Sequence, residues 1–496
     1  MKKNVVIVGG GLGGMSAAIA LAKYSSEYDI TLIEKNAHLG GKLNVTTQEG
    51  FTFDLGPSIF TMPFIFDNLF KIHGKKREDY LDLEAVRPHW RTFFPDGKIL
   101  DLEKNIQAMK EAPSNLTDAD INDLKNYLAY GKMVYDFTDQ TLFKNQSEKQ
   151  LDTLKYYPPL KIIKDSDYFK TMDGGVNRFI KNPYLKDALN FFIKYVGSSP
   201  YDAPAVMNLL PYIQWEFDLW YVKGGMFNLS VGLEKLMREL GIKIITNVKV
   251  KSAIKQDKTI TRLHLDNDES IDADLVVSNM EVIPFYEQIT QEKSHHIEKI
   301  RKKYTPSCSG FALHLGLDKQ YDQLRHHNVF FSEHPKKHFD TIFHQNRLPS
   351  DPTIYLVAPL KTDPSQGPKN HEIIKILPHI PHIPKDQPFT QEEYDAFKET
   401  ILLKLERMGL KDLRKHIVTE TLWTPETIQA TYESTQGSIY GVVADKKKNM
   451  GFKNPKQSIF YDNLYFVGGS TNPGGGMPMV VLSGMQVVDQ IRKETK

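Results

Sequence analysis

Five of the six residues 9–14 are glycine, and they directly follow a run of β-branched residues. Asn4-Val-Val-Ile-Val8 reads as a buried strand of a parallel sheet. Gly9-x-Gly11-x-x-Gly14 comes next, with Gly10 and Gly13 completing the turn, and Met15, Ala18, Ile19 and Ala22 then recur at helical spacing. In this setting the first glycine permits a tight turn and the second lets the backbone approach a pyrophosphate. The third lets the helix pack on the strand. N–H groups at the start of the helix then face anionic oxygen. A second strand, Ile30-Thr-Leu-Ile33, ends at Glu34, 20 residues after Gly14, where a carboxylate reaches an adenosine ribose and repels a 2′-phosphate. Strand, glycines, helix, strand and acid in one register predict a dinucleotide-binding α/β unit.

The turn lies inside the first of two stretches without a charged residue, 5–22 and 464–488. Both are long enough to suggest a membrane span, and the first mimics a secretory signal, with Lys2 and Lys3 ahead of an apolar run ending Ala20-Leu21-Ala22. Glycine and proline argue otherwise. Each glycine weakens a helix by about 1 kcal/mol relative to alanine, and Pro473, Pro478 and Gly474-Gly475-Gly476 interrupt the second stretch. The expectation is neither signal peptide nor transmembrane helix. The second stretch also repeats the logic of the first. Asn463-Leu-Tyr-Phe-Val467 reads as a strand, Gly468-Gly469-Ser470 and Gly474-Gly475-Gly476-Met477-Pro478 as turns, and Val480, Val481, Met485 and Val488 as a helix. The two ends of the chain are expected to meet on one ligand.

Composition narrows the rest. Lys and Arg number 63 against 61 Asp and Glu, a net charge of +2, which removes the electrostatic footprint of a nucleic-acid binder. Cys308 is the single cysteine, so there is no intrachain disulfide and no cysteine-based metal centre. His379 and His382 have metal-ligand spacing, but prolines between and beside them predict an extended loop, with no acidic or thiol partner nearby; no metal is expected. No P-loop, HExxH or GxSxG motif occurs.

Beyond Glu34 come Gly40-Gly41-Lys42 and Gly50-Phe-Thr-Phe-Asp-Leu-Gly56-Pro57-Ser58. With the C-terminal glycine segment, these motifs resemble the superfamily of FAD-dependent amine oxidases and carotenoid desaturases. The resemblance implies an α/β fold: a Rossmann-like, two-dinucleotide-binding FAD domain with an inserted α+β substrate domain. It implies FAD as cofactor, Gly41 and Lys42 supporting the pyrophosphate, and Gly56 and Pro57 beside the flavin. Gly468, Gly469, Ser470, Met477, Pro478 and Met479 fall to the ribityl chain and isoalloxazine, and the Val250 backbone to the adenine; by spacing alone Val250 reads equally well as core. The superfamily often has Gly-Asp where this chain has Gly469-Ser470, which leaves the partner of the ribityl hydroxyls open. The expected FAD domain is discontinuous, 1–100, 222–290 and 420–496, and the substrate domain comprises 101–221 and 291–419.

The first insertion is rich in aromatics, among them Tyr156, Tyr157, Phe191, Phe192, Tyr195, Tyr201, Tyr212, Trp215, Phe217, Trp220 and Tyr221, which serve a core or an apolar tunnel. Ile193-Lys-Tyr-Val-Gly-Ser-Ser199, Tyr201-Asp-Ala-Pro-Ala-Val206, Leu377-Pro-His-Ile-Pro381, Tyr440-Gly-Val-Val-Ala-Asp-Lys-Lys-Lys448 and 468–478 look like bacterial carotenoid oxidoreductases, over essentially the whole chain. That similarity implies oxidation of the terminal methyl group of a long apolar C30 carotenoid to an aldehyde, in staphyloxanthin-type pigment synthesis. The alternatives are a desaturase acting on a C30 precursor and a non-catalytic flavin- or isoprenoid-binding protein. Flavin chemistry requires the protein only to position a C–H bond, so no side chain is nominated as a base. Ile59-Phe-Thr-Met-Pro-Phe-Ile-Phe66 with Leu69 and Phe70, followed by Lys71, Lys75, Lys76 and Arg77, reads either as core or as a shallow contact with an anionic membrane surface. The expected location is the cytoplasm, peripheral to the inner face of the membrane.

Overall fold

A computed structural model describes residues 2–158, 161 and 167–494. Among these residues a parallel five-stranded sheet runs in the order Leu464–Phe466, Leu275–Ser278, Lys3–Val8, Tyr28–Ile33, Lys243–Ile245. Its strands come from the beginning, middle and end of the chain. The central strand is covered on both sides, which explains its unbroken apolar run. Val5 and Ile7 pack with the Leu12–Ala22 helix. Val6 and Val8 face the opposite way, onto a cluster with Ile260, Leu263 and Tyr286.

The two charge-free stretches pack on each other. Leu12–Ala22 is buried along its whole length, and the C-terminal helix Met477–Glu494 lies against it. Ser16 Oγ donates to Val481 O at 2.6 Å. A Cβ on Gly484 would stand 2.6 Å from Gly13 O and 2.7 Å from Ala17 N, so the helices approach backbone to backbone.

A second, mostly antiparallel sheet has the order Ile417–Trp423, Ala312–Leu317, Glu372–Ile380, Ile354–Val357, His327–Phe330, Trp90–Phe93, Ile99–Leu102, with Ser309–Gly310 also pairing Glu372–Ile380. Two of its strands, Trp90–Phe93 and Ile99–Leu102, come from the segment expected with the FAD domain up to residue 100; hydrogen bonding to His327–Phe330 places them in this sheet. The loop expected from His379 to Lys385 is strand at its start, through Ile380. Pro378 keeps its place because its carbonyl accepts from Phe311 N, a bond that needs no proline N–H. Period-two alternation divides the sheet. Phe93, Phe330, Leu356, Ile374 and Leu313 bury against Phe397, Ile401 and Leu405 of the Gln391–Arg407 helix. Trp90, Tyr355, Lys375, Leu377 and Ala312 face the other way, toward the parallel sheet's glycine turns.

Helices of the first insertion complete the body. Asp118–Thr138 starts with a Thr117/Asp120 capping box and packs on Leu209–Phe217. Phe191, Phe192, Tyr212, Trp215 and Tyr221 are buried, with Phe192 stacked on Trp90 at 4.2 Å. The apolar stretch from Ile59 is core. Phe60, Phe66, Leu69 and Phe70 are fully buried, because the Pro63–Lys71 helix turns them onto the N- and C-terminal helices. Arg77 pairs with Asp67 at 2.7 Å and Lys75 with Glu239 at 3.1 Å, so these cations serve the fold. Among the described residues no helix is long and apolar enough to cross a membrane.

Candidate functional site

The carboxyl ends of the parallel strands open onto a cavity of about 360 Å³ floored by glycine. Gly9 leaves the first strand at φ +97°, a conformation costly for any other residue, and the chain turns directly into the Leu12–Ala22 helix. Gly11 caps that helix with no side chain of its own, and the start of the helix, Gly11 and Leu12, lines the cavity. Gly14 sits below the turn. A Cβ there would collide with Gly9 O, and its N–H donates to Asn279 Oδ1 at 2.9 Å, tying the strand Leu275–Ser278 to the helix. Gly13 packs against Gly468, which arrives from the other end of the chain at φ +104°.

Glu34 is buried, and its carboxylate closes the turn from the side. It accepts from Gly10 N at 2.7 Å and from Asn36 N at 2.8 Å while still lining the cavity. Gly40 N donates to Gly10 O, fastening the second glycine turn to the first. The Lys42 ammonium donates to Ser438 O and Ile439 O at 3.1 and 3.2 Å and lies 3.6 Å from Glu281, so it bridges remote segments.

Of the residues singled out by sequence, Gly9, Gly11, Glu34, Gly41, Lys42, Gly56, Pro57, Val250, Gly468, Gly469, Met477 and Pro478 line this one cavity. Val250 does so while also packing in the adjoining core. Gly10, Gly13 and Gly14 lie beneath the surface as packing positions, and Ser470 turns away to accept from Val282 N. Met479 lines a second cavity.

The roof was not legible in the sequence. Ala312, Tyr355, Lys375, Leu377 and Trp423 descend from the second sheet, joined by Tyr440, Tyr195 and Lys194. The sole advance signal was the alternation of these residues along strands whose pairing the sequence does not state. Lys375 donates to Gly56 O and approaches Ser58 Oγ. Burial pulls its pKa down to about 8, against the pull of Asp54. Burial likewise raises Asp54, opposed by N–H donation from Met226 and Phe227.

A second cavity, about 410 Å³, adjoins the first; Thr61, Tyr195, Gly475, Gly476 and Pro478 line both. Its walls are apolar, including Phe137, Leu142, Val206, Leu210 and Ile213, and among the described residues Lys453 is the sole ionisable amine or acid lining it. Burial lowers Lys453 to about 7, and its Nζ donates to Val442 O at 2.6 Å. At the outer rim Leu151 and Phe169 are 67% and 70% exposed. A larger cleft of about 950 Å³, lined by residues such as Glu298, Lys302, Arg347 and Asp386, is open and polar and lies away from every glycine turn. Among the described residues no three His, Cys, Asp or Glu side chains are grouped to hold a metal; His379 is buried beside Tyr440.

The profile of flavin-containing amine oxidoreductases matches residues 12–492. The chain belongs to that family. Membership brings a flavin and an oxidoreductase activity, and the glycine floor at the helix start fits such a group, since Gly9 and Gly11 bring main chain to the cavity with no side chain over it. Among relatives, a 4,4′-diapolycopene oxygenase of Methylomonas sp. is 53% identical, covering 99% of this chain and 98% of its own. A 4,4′-diaponeurosporene oxygenase of Staphylococcus haemolyticus is 50% identical over 99% and 97%. Solved structures share the fold at low identity. A putrescine oxidase variant superposes with a TM-score of 0.66 at 14% identity, covering 99% of both chains. A fatty acid isomerase from P. acnes gives 0.60 at 14%, covering 98% of both.

Proposed function

We propose that this chain is an FAD-dependent oxygenase that oxidises the terminal methyl group of a C30 carotenoid, 4,4′-diaponeurosporene or diapolycopene, to an aldehyde. The observation that carries the reading is the junction of the two cavities: a glycine-floored one and an apolar one share a wall at Thr61, Tyr195 and Gly475–Gly476. Relatives about half identical over nearly their full lengths, named for these carotenoids, support it.

Bound FAD would supply the two-electron acceptor. Gly9, Gly11, Gly41, Gly468 and Gly469 would hold it by backbone, Glu34 and Val250 at the adenosine end, and Gly56, Pro57, Met477 and Pro478 near the ring. The apolar cavity excludes water from a polyene laid along it, and Tyr195 at the junction limits which carbon advances. Lys375 keeps a proton-bearing amine of near-neutral pKa over the reacting end. Leu151, Leu154 and Phe169 at the rim, with Lys149, Lys155 and Lys170 nearby in sequence, suit contact with an anionic bilayer in which the substrate dissolves.

Expression in cells that accumulate diaponeurosporene, followed by mass spectrometry of extracted pigment, tests the reading. Pigment gaining one oxygen and losing two hydrogens is expected. Extra double bonds without oxygen would transfer the assignment to a desaturase, and unaltered pigment would leave a binding protein.

A further inference from the structure

We propose that Lys194 captures a polyene aldehyde as an imine in the wall of the flavin-side cavity, an inference that rests on the aldehyde-forming reading above. Lys194 lies in the short helical turn Phe191–Val196 and is 2% exposed. Its Nζ has no hydrogen-bond partner. Ring faces surround it instead: the Tyr355 ring centre is 3.2 Å away, that of Trp90 4.1 Å, and those of Phe191 and Tyr195 5.5 and 5.7 Å. Ring faces supply neither the hydrogen-bond acceptors nor the counter-charge that an ammonium loses on leaving water. Burial alone drives the amine's proton affinity far down. That shift favours the free amine, the form that condenses with carbonyls.

Two other buried lysines border the cavities, and both are occupied. Lys375 donates to Gly56 O and Lys453 to Val442 O. Of the three, Lys194 is the one whose nitrogen makes no hydrogen bond among the described residues. It lines the same cavity as Tyr355 and Tyr195, and Tyr195 also borders the apolar cavity, so an aldehyde made at the junction emerges against this wall. Capture requires the amine to turn from the Tyr355 ring into the space that both residues line. The nitrogen then attacks the carbonyl carbon, a C–N bond forms, and the carbonyl oxygen departs as water with the two amine hydrogens. No oxidant is consumed. Hydrolysis reverses the step and frees the aldehyde.

The test uses the full-length, flavin-loaded protein at pH 7, with all-trans-retinal as the probe, cyanoborohydride as the trap, and peptide mass mapping. An exposed lysine with a pKa of about 10.4 holds roughly one free amine in two thousand at that pH. Lys194 is expected to label at least tenfold faster than any exposed lysine, and Lys194→Met to abolish that adduct while retaining flavin absorbance. No adduct at Lys194, or labelling no faster than at surface lysines, would overturn the proposal. Should the variant fail to fold, the wild-type map decides alone. Methyl oxidation in cells without retinal capture sinks this inference only; capture without oxidation sinks the substrate reading only.

Discussion

The floor and the roof of the flavin-side cavity are built from opposite materials. The floor is backbone: Gly9, Gly11, Gly41, Gly468 and Gly469 bring main chain to the cavity with no side chain over it. The roof is side chains, Tyr355, Lys375, Leu377 and Trp423, hung from one face of the second sheet. A floor made of missing atoms tolerates almost no substitution and serves any ligand carrying the same pyrophosphate. A roof made of alternating side chains can be rewritten residue by residue without disturbing the backbone beneath it.

That contrast can be broken at several points. Gly14→Val places a Cβ on Gly9 O, where neither backbone can yield, and should cost roughly 4 kcal/mol or more with loss of flavin. Flavin absorbance and melting temperature report it; a yellow variant with unchanged melting would refute the floor as described. Gly484→Leu forces apart the N- and C-terminal helices and should cost about 3 kcal/mol in thermal denaturation, without touching a cavity residue.

Acid should separate the two halves. His314, His326, His338 and His379, all in the roof sheet or its supports, are pushed down to about 3 by burial. Their folded pKa lies below the unfolded value near 6.5, so the unfolded chain binds more protons between about pH 6.5 and 3. Stability present at neutral pH is then lost as pH falls through that window, by up to about 1.4 kcal/mol per pH unit for each histidine. Hydrogen exchange at pH 5 should show the second sheet opening before the parallel one; simultaneous opening would contradict it.

Lys375→Met should leave flavin bound yet slow pigment oxidation roughly tenfold, about 1.4 kcal/mol, because it alters the roof and not the floor. Equal loss of flavin would erase the distinction. The smallest effect belongs to the rim. Leu151→Ser with Phe169→Ser should change stability by no more than about 0.5 kcal/mol, since both are exposed, while reducing co-sedimentation with anionic vesicles. Unchanged sedimentation would remove the rim as a membrane contact.

The legible and illegible parts of the site divide along the same line. Glycine spacing after an apolar strand has few physical explanations, which made Gly9, Gly11, Gly468 and Gly469 legible; Gly41, Lys42, Gly56, Pro57 and Val250 came from the resemblance, and all of these line one cavity. Ser470 and Gly10 lie in the right turns but point or pack elsewhere, because spacing locates a turn and not the direction of each group. Asn279, one residue past a recognisable strand, was missed; its amide matters only once Leu275–Ser278 lies beside Lys3–Val8. The apolar run from Ile59 shows the converse. A helix with one greasy face has the same sequence whether it meets lipid or protein, and here the C-terminal helix covers it.

The chain's sequence by itself determined the dinucleotide-type floor, the joining of its two ends and the family, because each depends on local backbone geometry or on residues strung in order. Tertiary structure alone decided which strands form the roof, where the apolar cavity meets the glycine-floored one, and that Lys194 has rings for neighbours. Those are contacts between segments far apart in the chain, and side-chain burial and proton affinity exist only after the segments have met.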